Sequence, residues 1–413
     1  MCPLPRETVR ANAWLSAPNG ELFDLETYTG IPIGWQTPYD QPMKTQAAIL
    51  WGVNEEWSVE EIELDGPKAG EMLVEFVATG LCHSDHSMRT GAMYGVSFPL
   101  IGGHEGGGIV REVGPEVHDF AVGDHVVTSF LPACGMCRWC STGRQNLCDF
   151  GANTLMGVQP DGTYRRRARG REIGALSGVG SFAPWSTVHK TSVVKIDQDV
   201  PLERACVLGC GVTTGWGSAV NTAEVRPGDT VIVVGLGGIG SGAVQGARLA
   251  GAERIIVVDL VEAKREKAFT FGATHFTTSL EEATEWAREM TRGVLADSII
   301  LTMGTLEGHM INDALNAVRK GGTVVATALA SMDDVNPTLP LTLFTLFQKR
   351  LLGSLFGAAN PRADIPRLVS LYKSGQLLLD ETVTTEYKLN EINKGYDDMI
   401  AGLNIRGVVI HDH

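Results

Sequence analysis

Four cysteines crowded into one short stretch set the first chemical constraint. Cys134, Cys137, Cys140 and Cys148 lie in PACGMCRWCSTGRQNLC, with the spacing C-x2-C-x2-C-x7-C. Four thiolates so close complete a tetrahedral zinc shell and leave no open position, which defines a structural site. An iron–sulfur cluster also draws on closely spaced cysteines, and zinc is the preferred reading. A second group of donors is scattered: Cys82 in TGLCHSDHSM, His104 and Glu105 in IGGHEGGGIV, and Cys210 in LGCGVTTGWG. Each stands in a glycine-rich turn near a strand end, where backbone can present one side chain into a cleft. Two thiolates and one imidazole leave the fourth zinc position open for water or substrate. Taken singly these residues say little, because a lone buried cysteine is ordinarily a small apolar side chain. Cys206 is read that way, and so are the histidines at 118, 125, 189, 275, 309, 411 and 413 as ordinary hydrogen-bonding or solvated groups.

A third constellation handles a nucleotide. In VIVVGLGGIG, Gly235, Gly237 and Gly240 form G-x-G-x-x-G, with Gly238 and Ile239 between them, directly after an apolar run and before a helix-like segment. The first glycine makes the tight turn, the second lets backbone approach a pyrophosphate, and the third lets helix and strand pack closely. The helix N-terminus then faces the phosphates. Asp259 closes RIIVVD, 19 residues after the last glycine. A carboxylate there accepts hydrogen bonds from ribose hydroxyls and repels a 2′-phosphate, so NAD is expected over NADP.

These residues need a framework to bring them together. The chain has 413 residues, enough for two or three domains. Residues 1–42 read as an appendage, either an upstream mis-start or an arm that packs on a neighbour. From residue 43 to 211, short alternating strands with glycine punctuation (EMLVEFVATG, GGIVREVG, DHVVTSF) predict an antiparallel β-rich domain, with the four-cysteine lobe at about 131–150. From 212 to 355, apolar runs (TVIVVG, RIIVVD, DSIILT, GTVVAT) alternate with helical stretches and predict a parallel sheet covered on both faces. Residues 356–413 hold DIPRLVSLYKSG, read as a helix with proline near its start, and short strands.

Net charge is −14, which argues against wholesale binding to nucleic acid or an acidic membrane. The long uncharged stretch 230–247 is glycine-rich and short for a bilayer span, so no membrane insertion is expected. The N-terminal residues lack the apolar core of a secretory signal, and a cytoplasmic location follows by default. The basic run YRRRARGRE (Arg165, Arg166, Arg167, Arg169, Arg171) is read as a solvated surface loop in preference to an anion site. Trp185 and Trp216 are read as packing residues.

GHEGGGIV, the four-cysteine lobe, GCGVTTGWG and GLGGIG, in this order, resemble the zinc-containing alcohol dehydrogenases of the medium-chain family. The likeness runs from about residue 44 to the C-terminus and is nearest to the nicotinoprotein, nitrosodimethylaniline-dependent (NDMA-dependent) subgroup. The resemblance implies an α/β fold, with a Rossmann doubly wound domain and a GroES-like β-rich catalytic domain. It implies two zinc ions per subunit, one catalytic on Cys82, His104 and Cys210 and one structural on the four-cysteine lobe, the Cys2His set being the one this family is known for. NAD is implied, held between turnovers in the subgroup and reset by an external electron acceptor. Ser84 would take the alcohol proton, Asp85 would orient the ligand histidine, and Glu105 would stand behind the metal. His83 and Arg406 would contact the pyrophosphate, Lys264 the adenosine ribose, and Phe130 would line the substrate pocket. Many relatives end their proton relay on a histidine five residues after the first cysteine ligand. Here that position is Ser87 and His86 comes one earlier, so either His86 substitutes or water completes the relay. Expected partners are a small alcohol or aldehyde and further copies of the chain, as dimer or tetramer. Two rival readings stand beside this: a formaldehyde dehydrogenase dependent on glutathione or mycothiol, and a non-enzymatic zinc or redox scaffold.

Overall fold

The computed structural model describes residues 42–413 apart from Tyr94 and Met332; the expectations for residues 1–41 lie outside the described residues. Five strands, Met43–Leu50, Ser58–Leu64, Leu100–Ile101, Arg166–Ala168 and Arg171–Ala175, close a small barrel. Beside it a larger sheet runs in the order Val193–Ile196, His125–Thr128, Glu105–Val113, Glu71–Gly80, Arg406–Ile410 and Val383–Tyr387, with Trp185–His189 also paired to Glu71–Gly80. The C-terminal strand therefore lies inside this sheet. Its register sets Val408 opposite Gly80, which delivers Arg406 to the turn that carries Cys82. Two short helices spring from this body, α1 (His83–Arg89) and α2 (Gly211–Gly217).

The second sheet has six strands: β1 (Thr230–Val234), β2 (Arg254–Val258), β3 (His275–Thr277), β4 (Ala296–Leu301), β5 (Val318–Ala326) and β6 (Arg350–Gly353). All neighbouring pairs are parallel, and their order is 3-2-1-4-5-6. That is the doubly wound dinucleotide-binding order, whose ligand crevice opens where the winding reverses, between β1 and β4. Val231, Ile232, Val233, Ile255, Ile256, Ile299 and Ile300 are fully buried, as expected of strands covered on both faces. The uncharged stretch 230–247 becomes β1, a turn and most of α3 (Gly238–Leu249). Among the described residues no helix is long and apolar enough to cross a membrane.

Glycines on α2 and α3 let the two helices meet almost backbone to backbone. A Cβ on Gly215 would stand 1.9 Å from the Ile239 carbonyl oxygen, and one on Gly242 would stand 2.5 Å from that of Val212.

The structure corrects the reading of the basic run as a solvated loop. Arg165 and Arg166 are fully buried. Arg165 forms a bidentate pair with Glu71 (2.8 and 2.6 Å) and a bond to Asp161 (2.7 Å). Arg166 donates to the Thr187 carbonyl at 2.8 Å and to the Ser186 hydroxyl. The run forms the hairpin Arg166–Ala168 and Arg171–Ala175 that helps close the barrel, and its guanidinium groups satisfy backbone and carboxylates inside it. Only its outer arginines match the expectation: Arg169 is exposed, pairs with Glu60 at 2.6 Å and lies over the Trp51 ring at 4.2 Å. Cys206 and Trp216 are core residues. The helix read from DIPRLVSLYKSG starts earlier, at Pro361, and Pro366 sits inside it.

Candidate active site and metal centres

Cys82 and Cys210 are the N-cap residues of α1 and α2. A thiol at a helix N-terminus faces unpaired N–H groups, which favour its thiolate. His104 ends a turn whose Gly103 has φ +82°, and a Cβ there would lie 2.6 Å from the Phe182 nitrogen. The Thr128 hydroxyl donates to the His104 carbonyl at 2.7 Å and accepts the Gly106 N–H at 2.8 Å, so the next strand clamps the histidine's backbone. Nothing in the sequence pointed to Thr128, since the clamp exists only once the strands pair.

These three donors and Glu105 converge, their ligand atoms all within 4.8 Å of one another, and all four residues are buried. Asp85 is fully buried behind His104. One of its oxygens lies 3.3 Å from His104 Nδ1 and the other accepts the Gly103 N–H at 2.9 Å. The Ser84 hydroxyl donates to Cys82 Sγ at 3.2 Å and lies 3.5 Å from His104 Nε2. Glu105 accepts from the Gly211 N–H at 3.0 Å and pairs with Arg406, whose guanidinium also donates to the Leu81 carbonyl at 2.7 Å. Sequence reasoning treated Glu105 and Arg406 separately; the fold makes them a buried pair.

The electrostatics fit a dication. The hydrogen bond between Cys82 and Cys210 divides the two thiols, holding Cys82 well below the ordinary thiol range and pushing Cys210 well above it. Two adjacent buried thiolates cannot coexist without a positive centre between them. Burial would lower the His104 pKa, but the charges of Asp85 and Cys82 outweigh it and the net shift is upward. Burial, opposed by Arg406, raises Glu105 to about 7. Glu105 Oε2 is buried without a partner.

The four-cysteine lobe forms a second cluster, again with ligand atoms within 4.8 Å of one another. Cys134 Sγ and Cys140 Sγ stand 3.9 Å apart, close to the ~3.8 Å that zinc–sulfur bonds of ~2.3 Å give across a tetrahedron. Backbone N–H groups of Cys137, Cys140 and Cys134 point at the sulfurs of Cys134, Cys137 and Cys148, at 3.3, 3.5 and 3.5 Å. Such donors stabilise thiolates. No cysteine among the described residues is in a disulfide.

The nucleotide turn has the form its glycines require. Gly235 has φ +96°, and a Cβ on Gly240 would lie 2.0 Å from the Gly235 carbonyl oxygen. Gly237, the N-cap of α3, meets nothing nearer than 4.0 Å, which leaves its face free for a ligand. A Cβ on Gly238 would meet the Arg406 guanidinium at 2.6 Å, and Arg406 Nε is buried without a partner. An orphaned cationic N–H beside a helix N-terminus suits a phosphate oxygen. Asp259 accepts the N–H groups of Leu236 (2.6 Å) and Val261 (2.9 Å) and lies 3.4 Å from Lys264 Nζ.

Both sites open on one cavity of about 950 Å³. Cys82, His83, Ser84, His104, Cys210 and Phe130 line it, as do Ile239, Met303 and Gly304 from the nucleotide side. Phe130 packs edge-on against His104 (5.6 Å) and Phe356 (4.7 Å). Phe356 is a wall residue that sequence reasoning missed. Ser87 faces the cavity, whereas His86 is absent from its lining and stacks on Tyr396 at 6.4 Å.

Residues 68–198 match the alcohol dehydrogenase GroES-like domain, and residues 238–374 match the zinc-binding dehydrogenase domain. Alcohol dehydrogenase B of Mycobacterium tuberculosis is 51% identical over 368 residues, covering 89% of this chain and 98% of the relative. The NDMA-dependent alcohol dehydrogenase of Amycolatopsis methanolica is 49% identical over 369 residues, covering 89% and 99%. Among solved structures, an alcohol dehydrogenase zinc-binding domain protein from Burkholderia ambifaria superposes with a TM-score of 0.84 at 31% identity, over 90% of this chain and 100% of that one.

Proposed function

The chain belongs to the zinc-containing medium-chain alcohol dehydrogenases, and from that premise we propose that it moves hydride between a primary alcohol or aldehyde and NAD, keeping the coenzyme bound while an external acceptor resets it. The carrying observation is that Cys82, His104 and Cys210 meet on the same cavity that the nucleotide turn enters.

Cys82, His104 and Cys210 would hold a zinc ion that supplies Lewis acidity toward an alcohol oxygen, and a bound nicotinamide coenzyme would supply the hydride acceptor. The remaining work falls to the chain. Ser84, beside Cys82 and His104, would take the hydroxyl proton. Asp85 fixes the His104 ring so that Nε2 faces the cavity. Phe130 and Phe356 form an apolar wall that keeps water from the reacting carbon. Arg406 and His83 would hold the pyrophosphate, and Asp259 and Lys264 the adenosine ribose, a reading supported by the unpartnered Arg406 Nε beside Gly238. Beyond Ser84 the proton would pass to water or to His86, which packs at 5.4 Å against the cavity-lining His83. The four cysteines of the lobe would hold a second zinc and so fix the segment from which Asn146 reaches the Leu355 carbonyl at 3.0 Å, beside the Phe356 wall.

Metal analysis and an absorbance spectrum of purified, desalted protein test this. Two zincs per chain and a nicotinamide band are expected. Metal-free protein that oxidises alcohols equally fast would end the proposal. Turnover of formaldehyde only with added glutathione or mycothiol would replace it with the thiol-dependent reading.

A further inference from the structure

The segment that follows α2 is wound more widely than an α-helix. The Ala223 N–H reaches back five residues to the Ser218 carbonyl at 2.9 Å, so Ser218–Thr222 forms a single π-type turn. Such turns recur at functional sites. Its two hydroxyl residues, Ser218 and Thr222, are buried. They meet two more: Thr327, the first residue after β5, and Ser354, the first after β6. Both are buried, and Thr222, Thr327 and Ser354 line the cavity. The C-terminal ends of parallel strands are where a doubly wound sheet opens to its ligand.

The four hydroxyls are joined. Ser218 Oγ lies 2.9 Å from Thr327 Oγ1 and 2.9 Å from Ser354 Oγ, and Ser354 Oγ lies 2.9 Å from Thr222 Oγ1. The Ser218 hydroxyl donates its one proton to the Thr214 carbonyl at 2.7 Å. A hydroxyl has one proton and two lone pairs. Ser218 therefore accepts from both Thr327 and Ser354, and Ser354 in turn accepts from Thr222. Every proton is used, and the bonds lead toward α2, the helix that Cys210 caps. Pairing of β5 with β6 ends at Ala326 and Gly353. Beyond that point, residues 327–329 and 354–356 run along the cavity. Side-chain hydrogen bonds tie both segments to the turn after α2, and Asn221 adds another, to the Gly357 carbonyl at 3.1 Å.

We propose that Ser218, Thr222, Thr327 and Ser354 form a latch that holds this wall of the cavity against α2, with Thr327 and Ser354 as positioning residues that set how slowly a bound coenzyme leaves. The inference rests on the NAD-linked reading above and gives its coenzyme retention a physical source. For the nicotinamide end to leave, the wall has to part from α2. Parting breaks several linked bonds at once, in a place where buried hydroxyls lose their partners and find no ready replacement.

The test loads the protein with NADH, chases it with excess NAD and follows the loss of bound nicotinamide fluorescence. It compares the wild type with Thr327→Val, Ser354→Ala and Thr222→Val. Thr327→Val keeps the shape and removes one proton donor. It and Ser354→Ala should each speed release about tenfold, and Thr222→Val, at the outer end, should do so less. Thr327→Ser should restore the rate to within about twofold of wild type. Ile62→Val, a core change in the barrel, controls for loss of stability alone and should leave the release rate unchanged. Wild-type release rates in Thr327→Val and Ser354→Ala, or an equal acceleration in Ile62→Val, overturn the latch. The latch is read from the ratio of variant to wild-type rates, so it is judged apart from whether the wild type keeps its coenzyme through desalting, which decides the retention reading. A wild type that binds no NADH overturns both.

Discussion

His104 is governed from behind as much as from the cavity. Asp85 lies 3.3 Å from its Nδ1, which fixes the ring and keeps the other nitrogen available as a ligand. Asp85→Asn should leave the fold intact and cost about 10–100-fold in zinc affinity or turnover; unchanged zinc retention and rate under chelator competition would refute this control. In the proposed coenzyme site, the Asp259 carboxylate would repel a 2′-phosphate. Asp259→Asn keeps an acceptor for the Leu236 N–H while removing the charge, and should lower the preference for NAD over NADP by about tenfold or more. Identical selectivity in the two proteins would exclude Asp259 as the discriminator. At this scale much of the site was legible, because cysteines, histidine and glycines carry type-specific chemistry. What stayed hidden were residues of ordinary type that matter by position, such as Thr128 clamping His104 and Phe356 closing the cavity wall. His86 also showed the limit: its type suits a relay, and only the fold shows its ring between those of His83 (5.4 Å) and Tyr396 (6.4 Å).

Among the elements, alternating apolar strands and helices made the parallel sheet readable, and continuous runs such as TVIVV were buried as expected. The barrel was less legible. A run of arginines reads as solvated unless its carboxylates are known, and Glu71 stands 94 residues from Arg165. The helix boundary at Pro361 was also missed, because proline at a first helical turn and proline inside a helix look alike in sequence. The tightest contact between elements is that of α2 with α3. Gly215→Ala would drive a methyl to within 2.6 Å of the Ala243 nitrogen and nearer still to the Ile239 carbonyl. Backbone cannot yield as a side-chain tip does, so a loss of about 1–3 kcal/mol in stability is expected, together with weaker coenzyme binding. Denaturant melts superimposable on those of the wild type would show that the two helices have slack.

Across the whole molecule, the C-terminal strand ties the stability of the first body to pH. His411, just past Arg406–Ile410, is buried with Nε2 donating to the Ser181 carbonyl at 3.0 Å, while Nδ1 has no partner. Burial pushes its pKa down to about 4, against ~6.5 in an unfolded chain. Between those values the unfolded chain binds the extra proton, so stability rises with pH across this window and falls as pH drops through it. At ~1.4 kcal/mol per pKa unit the loss amounts to about 3 kcal/mol by pH 4. His411→Gln should flatten the fall in melting temperature between pH 6.5 and 4 relative to wild type; parallel curves would refute it. The seam between α2 and α3 bears on catalysis at this same scale. One helix is capped by Cys210, a proposed zinc ligand, and the other by Gly237 of the proposed coenzyme turn, and carbonyls and glycines bring them together almost backbone to backbone. With those two roles, the span a hydride crosses would be gauged when the chain folds, and any breathing of the cleft would hinge elsewhere, carrying cysteine and cofactor cradle as one block.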